Sequence, residues 1–420
     1  MFCILHVCRP VIRRFDEVVG SMIDMRKKRI LLVHNYYQIH GGEDTVVAGE
    51  MRLLQEHGHF VLLYQRTNAE LQQMNFIQKA GMIFAEIFNF RTYRETVRLI
   101  KENQIDIVHV HNTLHMVSPS IFYAAFSCKV PVVQTVHNFR LQCPAGIFYR
   151  DGHVCEACMT RGLRAAIQYR CYRNSRIQTI LCVISMKIHR MLGTYKKINY
   201  ICLTRFNRQK LLELNQIGKK KYIDDKRVYI KPNFSYAAEK MQKGNGSRQA
   251  YYIYAGRLDE MKGIRLLLQA WKEMGENAPE LRIYGSGTME QECRKYICMN
   301  ELNSVKMAGM LPEKEILQQI ASARALILPT QWYEGYPMTI AEAFSLHTPV
   351  ITSDMGNAGD LVREGKNGWK FQTNSYVSLK EKVMECQKSA STFVFQETEN
   401  GTLPEENYEL LNKIYGDLKV

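Results

Sequence analysis

The chain contains no uninterrupted apolar run of about 18 residues, the length a helix needs to cross a bilayer, so no transmembrane span is expected. Its opening, MFCILHVCRPVIRRFDEVVG, has no basic stretch before a short apolar run and does not read as a secretory signal. Twelve cysteines in 420 residues are too dilute for a disulfide-stapled scaffold and point to mostly reduced thiols in a cytoplasmic chain. Several catalytic signatures are missing. There is no G-x-x-x-x-G-K-[ST], which excludes a P-loop, and no G-x-S-x-G nucleophile elbow. No G-x-G-x-x-G follows the first β-branched run, and Gly285-Ser286-Gly287 is a lone pair. No two aspartates stand two apart, so the D-x-D pattern that holds a nucleotide-bound metal is absent.

What is present is an ordinary globular composition, 46% hydrophobic and 23% charged, which excludes wholesale disorder. The length suits two domains, or three small ones, each with its own core. The formal net charge is +15. That surplus is local: Arg161–Lys221 holds fifteen basic residues against one acid, Glu213. The segment reads either as a solvated basic face or as a contact surface for something anionic: phosphates, nucleic acid or an acidic membrane leaflet.

From Arg29 onward, short β-branched runs alternate with helical patterns, the signature of parallel α/β sheets. Strands are predicted at 29–34, 60–64, 106–111, 131–136, 199–203 and 227–231. A second series follows at 251–255, 281–284, 305–308, 325–329 and 350–351. Helices are predicted between them at 43–57, 92–103, 119–128, 205–215, 263–275, 289–299, 313–323 and 339–346. The expected organisation is a disordered appendage over 1–24, with Met25 a natural start, and a first domain over 25–235. A polar linker over 236–249, a second domain over 250–400 and a C-terminal helix over 401–420 packing back on the first domain complete it. Two such units enclose a cleft at the C-terminal ends of their strands.

The second domain carries the informative motifs. In Tyr254-Ala255-Gly256-Arg257-Leu258-Asp259-Glu260-Met261-Lys262-Gly263 a strand ends at a glycine, and Arg257 and Lys262 project before a helix. Two fixed cations beside a helix N-terminus make a diphosphate site, with an ordinary βα loop as the alternative. In Glu334-Gly335-Tyr336-Pro337-Met338-Thr339-Ile340-Ala341-Glu342 a helix opens after an apolar strand, with Pro337 near its first turn. The free N–H groups of Met338 and Thr339 would face a phosphate. Glu342 could reach a ribose diol and Glu334 sugar hydroxyls, since each carboxylate oxygen accepts a hydrogen bond.

The pair A-G-R-L-x₃-K-G and E-G-Y-P-M-T-I-A-E-A, with Glu334 and Glu342 in E-x₇-E spacing, resembles the retaining family 4 glycosyltransferases of the GT-B fold. The order of Leu281–Gly287, Val305–Gly309, Pro349–Thr352 and Asp360–Trp369 matches the same family, as do Gly41-Gly42 and Thr135-Val136-His137-Asn138. Asn138 departs from it, because the family often has Asp after the histidine. The resemblance implies two Rossmann-like domains facing across a cleft. It implies transfer from a nucleotide-diphosphate sugar to a glycan or lipid-linked acceptor, with retention and without a catalytic metal or other cofactor. Arg257 and Lys262 would neutralise the leaving diphosphate. Gly41, Gly42, Gly256, Gly335, Tyr336, Pro337, Met338, Thr339 and Glu342 would bind the donor, with Glu334 beside the reacting sugar. His137 would hydrogen-bond that sugar. No carboxylate nucleophile stands out, which fits a same-face mechanism. The implied work is cell-surface polysaccharide synthesis at the cytoplasmic side of a membrane.

Cys143, Cys155, Cys158 and Cys171 form a C-x₁₁-C-x₂-C-x₁₂-C insert. The C-x₂-C pair lets two thiolates converge on one ion, so a structural zinc knot is the favoured reading, with buried thiols or a redox pair as alternatives. With the basic segment behind it, 143–221 is the expected acceptor and membrane platform, and Ile177–Leu192 reads equally as an interfacial or a core-facing helix. A basic zinc-containing nucleic-acid binder is the rival from another class, but it leaves Arg257, Lys262, Glu334 and Glu342 without a role. No nucleic-acid partner is therefore expected. A sugar phosphorylase on the same fold is a closer rival, without a lysine motif placed for pyridoxal phosphate.

Overall fold

The computed structural model describes residues 27–36, 41–67, 70, 85–114, 116–217, 220–241, 248–397 and 402–420. The appendage expected over 1–24 lies outside the described residues, as do Lys219 and residues 242–247 of the expected linker.

Fourteen strands are described: β1 (Arg29–Tyr36), β2 (Phe60–Thr67), β3 (Ile107–Val110), β4 (Val132–Val136), β5 (Tyr149–Arg150), β6 (His153–Val154), β7 (Asn199–Cys202), β8 (Val228–Ile230), β9 (Tyr251–Ala255), β10 (Glu280–Tyr284), β11 (Val305–Gly309), β12 (Ala325–Leu328), β13 (Val350–Ser353) and β14 (Gly368–Phe371). They build two six-stranded sheets, ordered β2-β1-β3-β4-β7-β8 and β11-β10-β9-β12-β13-β14, and one small antiparallel hairpin of β5 and β6. Every pairing in the two large sheets is parallel.

Their strands are continuous apolar runs because helices cover both faces. Ile30–Val33 of β1 and Tyr252–Tyr254 of β9 are fully buried. Caps fix the helix starts. Asn89 accepts from the Arg91 and Thr92 amides ahead of Phe90–Glu102, and Thr204 accepts from the Asn207 amide ahead of Arg205–Glu213. The core of the second sheet gathers on Tyr252, Trp271 and Trp369, and the core of the first on Leu31, Val108 and Tyr200.

The C-terminal helix Pro404–Asp417 places Leu411, Ile414 and Tyr415 on Ile30, Ile107, Val133 and Ile201 of the first sheet. Within the expected linker, Ala237–Lys240 is helical, and Tyr236 packs with Phe234 on Leu53. Strand β14 and the helix Tyr376–Lys388 escape a sequence reading. β14 opens on a glycine because a Cβ at Gly368 would lie 1.9 Å from the Val350 carbonyl oxygen.

In each sheet the strand order reverses once, between β1 and β3 and between β9 and β12. Connections leave in opposite directions there and open a crevice beyond the strand ends. Both second-domain motifs sit at that reversal, one following β9 and the other following β12.

Candidate active site

The strand ends of the two sheets face one cleft of about 810 Å³. From the second domain it is lined by Tyr254–Arg257, Lys262, Leu328, Trp332 and Glu334–Thr339. From the first come Gly41, Gly42, Glu43, His137, Arg173 and Asn233. The residues read as donor-binding and catalytic are thus brought together, apart from Glu342, which does not line the cleft.

Lys262 ends a short 3₁₀ turn (Glu260–Lys262), and Gly263 follows at φ +74°. A Cβ on Gly263 would lie 1.8 Å from the Pro329 carbonyl oxygen, so only glycine lets the β9 loop lie against the end of β12. That contact sets Lys262 Nζ 2.7 Å and 2.9 Å from the two carboxylate oxygens of Glu334. Glu334 is buried and also accepts from Thr330 Oγ1 at 3.1 Å and Trp332 Nε1 at 2.9 Å. Arg257 is different: its side chain is 64% exposed and meets Asp259 at 3.0 Å, so it can turn toward a ligand.

The turn before the helix Met338–Ser345 is held from behind. Asn357 Nδ2 donates to the carbonyls of Glu334 and Gly335, both at 2.6 Å. The Asn357 side-chain oxygen accepts from Thr204 Oγ1 of the first domain, and Asp360 accepts from the Phe206 amide at 3.1 Å. These bonds tie the domains together beside the cleft.

His137 follows β4. One of its ring nitrogens, Nε2, lies 2.8 Å from His111 Nδ1, and the two rings stack. Behind them Glu50, fully buried in the helix Gly42–Glu56, stands 3.3 Å from His111 Nε2 and 2.9 Å from His109 Nδ1. The Lys231 ammonium lies 3.1 Å from Glu50 and also reaches Asn407 at 2.9 Å, while His109 meets Tyr415 at 2.8 Å and Thr135 at 2.8 Å. Burial would raise the Glu50 carboxyl, but Lys231, His109 and His111 outweigh it and hold it well below the usual carboxylate range. Burial, reinforced by neighbouring imidazoles, lowers His111 to about 4 and His137 well below its ordinary value. Both imidazoles are therefore neutral at pH 7. Glu50, His109 and His111 bring three ligand atoms within 4.8 Å of one another, but the Lys231 ammonium already neutralises the carboxylate. Glu50 and Lys231 form a buried ion pair with the two histidines packed beside it.

Glu342 lies one turn into its helix, and burial first, then Glu313, raises its carboxyl to about 7. In the segment Ile177–Leu192, the helix Arg176–Met191 buries Cys182, Val183, Met186 and His189. His189 bonds to the Ile87 carbonyl at 3.1 Å and Arg190 to the Leu141 carbonyl at 2.7 Å, so these two side chains are core groups. Ile177, Ile184 and Met191 stay exposed on the other side. Arg173, within the basic segment, lines the cleft together with Arg257 and Lys262. Glu43, Asn233 and Trp332 line the cleft and Asn357 braces its turn, none of them singled out from the sequence, while Arg173 enters the sequence reading only within the basic segment. Trp332 and Glu43 stand beside recognised motifs, while Asn233 and Asn357 carry no local signal.

Two parallel sheets with their reversals facing one cleft, and cations at a strand end opposite a histidine, define a two-domain GT-B protein. Residues 236–393 match the family described as glycosyl transferases group 1, and residues 40–183 match glycosyltransferase family 4. The chain belongs to the family 4 glycosyltransferases. Among curated relatives, the uncharacterized glycosyltransferase MJ1178 of Methanocaldococcus jannaschii is 26% identical over 133 residues, covering 32% of this chain and 37% of the relative. The putative colanic acid biosynthesis glycosyltransferase WcaL of Escherichia coli is 28% identical over 139 residues, covering 31% and 34%. Glycogen synthase of Mycobacterium tuberculosis is 26% identical over 269 residues, covering 63% and 55%. The matches thus span about a third to a half of these relatives. Among solved structures, a Rickettsia africae glycosyltransferase superposes with a TM-score of 0.60 at 13% identity, covering 93% of this chain and 96% of that one. Anabaena HepE, solved with UDP, gives 0.58 at 15% identity, covering 92% and 95%. At these identities the likeness is one of fold.

Proposed function

We propose that this protein transfers a sugar from a nucleotide-diphosphate sugar to a glycan or lipid-linked acceptor, with retention, in cell-surface polysaccharide synthesis. The observation that carries the reading is the shared cleft. Arg257, Lys262 and the start of the helix at Met338 stand on one wall, with His137 and Gly41-Gly42 on the other. Fixed cations and aligned amides are the groups that stabilise charge developing on a diphosphate, and they do so without a metal. Glu334 already accepts from Lys262, Thr330 and Trp332, so it suits holding sugar hydroxyls better than attacking carbon. A carboxylate so engaged is a poor nucleophile, which favours departure and attack on the same face, the leaving phosphate taking the acceptor's proton. His137, made a weak base by burial, offers a hydrogen bond to the sugar and competes poorly for that proton.

A cavity of about 100 Å³ adjoins His137 and reaches Glu86, Arg140 and Met186, which supports reading the acceptor side in the first domain. Nearby, Phe90, Leu192, Phe88 and Phe126 line an open groove with Arg94 and Lys197. Phe90 is 70% and Leu192 61% exposed, and exposed apolar side chains among cations suit the surface of an anionic bilayer. Among the described residues no helix is long and apolar enough to cross a membrane.

Thermal-shift screening against UDP-, GDP- and ADP-sugars, followed by NMR of the product's anomeric proton, tests the transfer. Stabilisation by none of them, or an inverted product, would overturn the reading. Flotation with neutral and phosphatidylglycerol vesicles tests the surface. Binding only to the anionic vesicles, weakened by the F90S/L192S variant, is expected. Absence of binding to both removes the membrane part.

A further inference from the structure

The four insert cysteines are reduced and meet at one place. Cys143, Cys155, Cys158 and Cys171 line a single cavity of about 10 Å³. They arrive from four separate local structures. Cys143 opens a turn that its carbonyl closes with the Gly146 amide at 2.8 Å, Gly146 lying at φ +80°. Cys155 leaves the β5–β6 hairpin, its amide bonded to the Phe148 carbonyl at 2.7 Å. Cys158 stands in the short helix Ala157–Thr160. Cys171 follows the helix Arg164–Tyr169 through Arg170 in the left-handed region, at φ 50°.

The Cys143 amide is bonded to the Phe139 carbonyl at 2.8 Å, and Arg150 lines the same cavity as the four cysteines. A guanidinium at the cavity wall offsets negative charge that thiolates, the metal-binding form, would bring there. Two apolar clusters flank the cavity, one of Cys158, Leu163, Ala166, Val183 and Met186 and one of Phe139, Cys143 and Phe148.

We propose that Cys143, Cys155, Cys158 and Cys171 form a four-thiolate tetrahedral site for a structural zinc ion. Binding releases four thiol protons to solvent, forms four Zn–S bonds and leaves a dianionic centre that Arg150 partly offsets. No three of the four sulfurs lie within 4.8 Å of one another. In a loaded site, sulfurs about 2.3 Å from the ion are roughly 3.8 Å apart. Loading therefore draws the sulfurs inward, by rotation about the Cα–Cβ bonds. Four thiolates leave no open position, so the ion takes no part in the transfer chemistry.

The knot has a visible mechanical target. Glu156, inside the C-x₂-C pair, accepts from the Tyr333 hydroxyl at 2.9 Å and pairs with Lys210 at 2.7 Å. Tyr333 belongs to the second domain and precedes Glu334. A loop stapled by zinc thus fixes a strut from the first domain to the residue beside the cleft carboxylate.

The test is metal analysis of the full chain, purified without a polyhistidine tag from zinc-supplemented medium under reducing conditions. About one zinc per chain is expected, released when a mercurial blocks the thiols and read with a chromogenic chelator. C155S and C158S should retain less than about a third of that zinc, while C298S, altered at an exposed cysteine of the second domain, should retain all of it. If the knot variants do not fold, the wild-type stoichiometry and mercurial release decide alone. Less than about 0.3 zinc per chain, a Cys143–Cys158 disulfide in the native protein, or an iron–sulfur absorption spectrum would each overturn the site. None of these readouts depends on transferase activity, so the site stands or falls separately from the proposed reaction.

Discussion

Gly335 of the second domain sits so close to His137 of the first that a Cβ built on it would lie 2.1 Å from the His137 carbonyl oxygen. The two domains touch here through backbone, at residues that both line the cleft. Even one methyl group must push the walls apart. A displacement near 1 Å costs on the order of 100-fold when groups from two walls act on one bond. Gly335→Ala should therefore lower transfer by at least about 100-fold, while the midpoint of thermal unfolding moves by no more than a few degrees. Initial rates beside calorimetry check this, and a variant with full activity would show that the domains do not need this contact.

The two cleft cations should separate in their effects on stability. Lys262 is paired with Glu334, whose carboxyl is buried, whereas Arg257 stands mostly in solvent. Removing one partner of a buried pair costs about 3 kcal/mol because the other charge stays behind. Lys262→Ala should lose transfer and about that much stability. Arg257→Ala should lose transfer with its denaturation midpoint unchanged, and K262A/E334Q should recover most of the stability without activity. Urea titrations of the four proteins decide it.

Behind His137, burial keeps His111 unprotonated down to about pH 4 in the fold. An unfolded histidine takes up a proton below about 6.5. The folded pKa is the lower one, so stability is fully present above 6.5 and is lost as pH falls toward 4. The expected slope is about 1.4 kcal/mol per pH unit for each such group. His111→Asn should flatten that slope, measured by chemical denaturation at pH 7.5, 6 and 5. An unchanged slope would assign the acid sensitivity to other groups.

Much of this architecture is legible in the chain because parallel strands buried on both faces must be continuous apolar runs. The runs Tyr251–Ala255 and Ala325–Leu328 therefore announce themselves, and the motifs following them lie where the strand order reverses. Glycine hides structure as often as it marks it. Gly368 starts a strand because nothing larger fits against Val350, and its surroundings read as a loop. Long-range polar contacts are not legible at all. Nothing local in the sequence pairs Glu50 with Lys231, 181 residues away, or Asn357 with the carbonyls of Glu334 and Gly335. Those pairs exist only once two sheets and a returning C-terminal helix have set the walls.

On the expectation that Glu342 holds a ribose diol, one proton joins stability to ligand binding, although Glu342 does not line the cleft. Burial raises its carboxyl to about 7 in the fold, against 4.5 for an unperturbed glutamate. Because the folded pKa is the higher one, the fold binds a proton between those values that the unfolded chain has released. Stability is therefore unaffected below 4.5, declines as pH rises through the window, and is lowest above 7, by on the order of 3 kcal/mol. Glu342→Gln should be more stable than the wild type by that amount at pH 8 and equal to it at pH 4.5. A ribose diol donates its hydroxyl protons best to the ionised carboxylate, so nucleotide affinity should rise between pH 6 and pH 8 in the wild type. In E342Q it should be weaker and flat across the same range. Calorimetric titration with a nucleoside diphosphate at both pH values separates the cases. Wild-type affinity that ignores pH would mean that the carboxyl plays no part in holding the ribose, leaving its elevated pKa a consequence of burial alone.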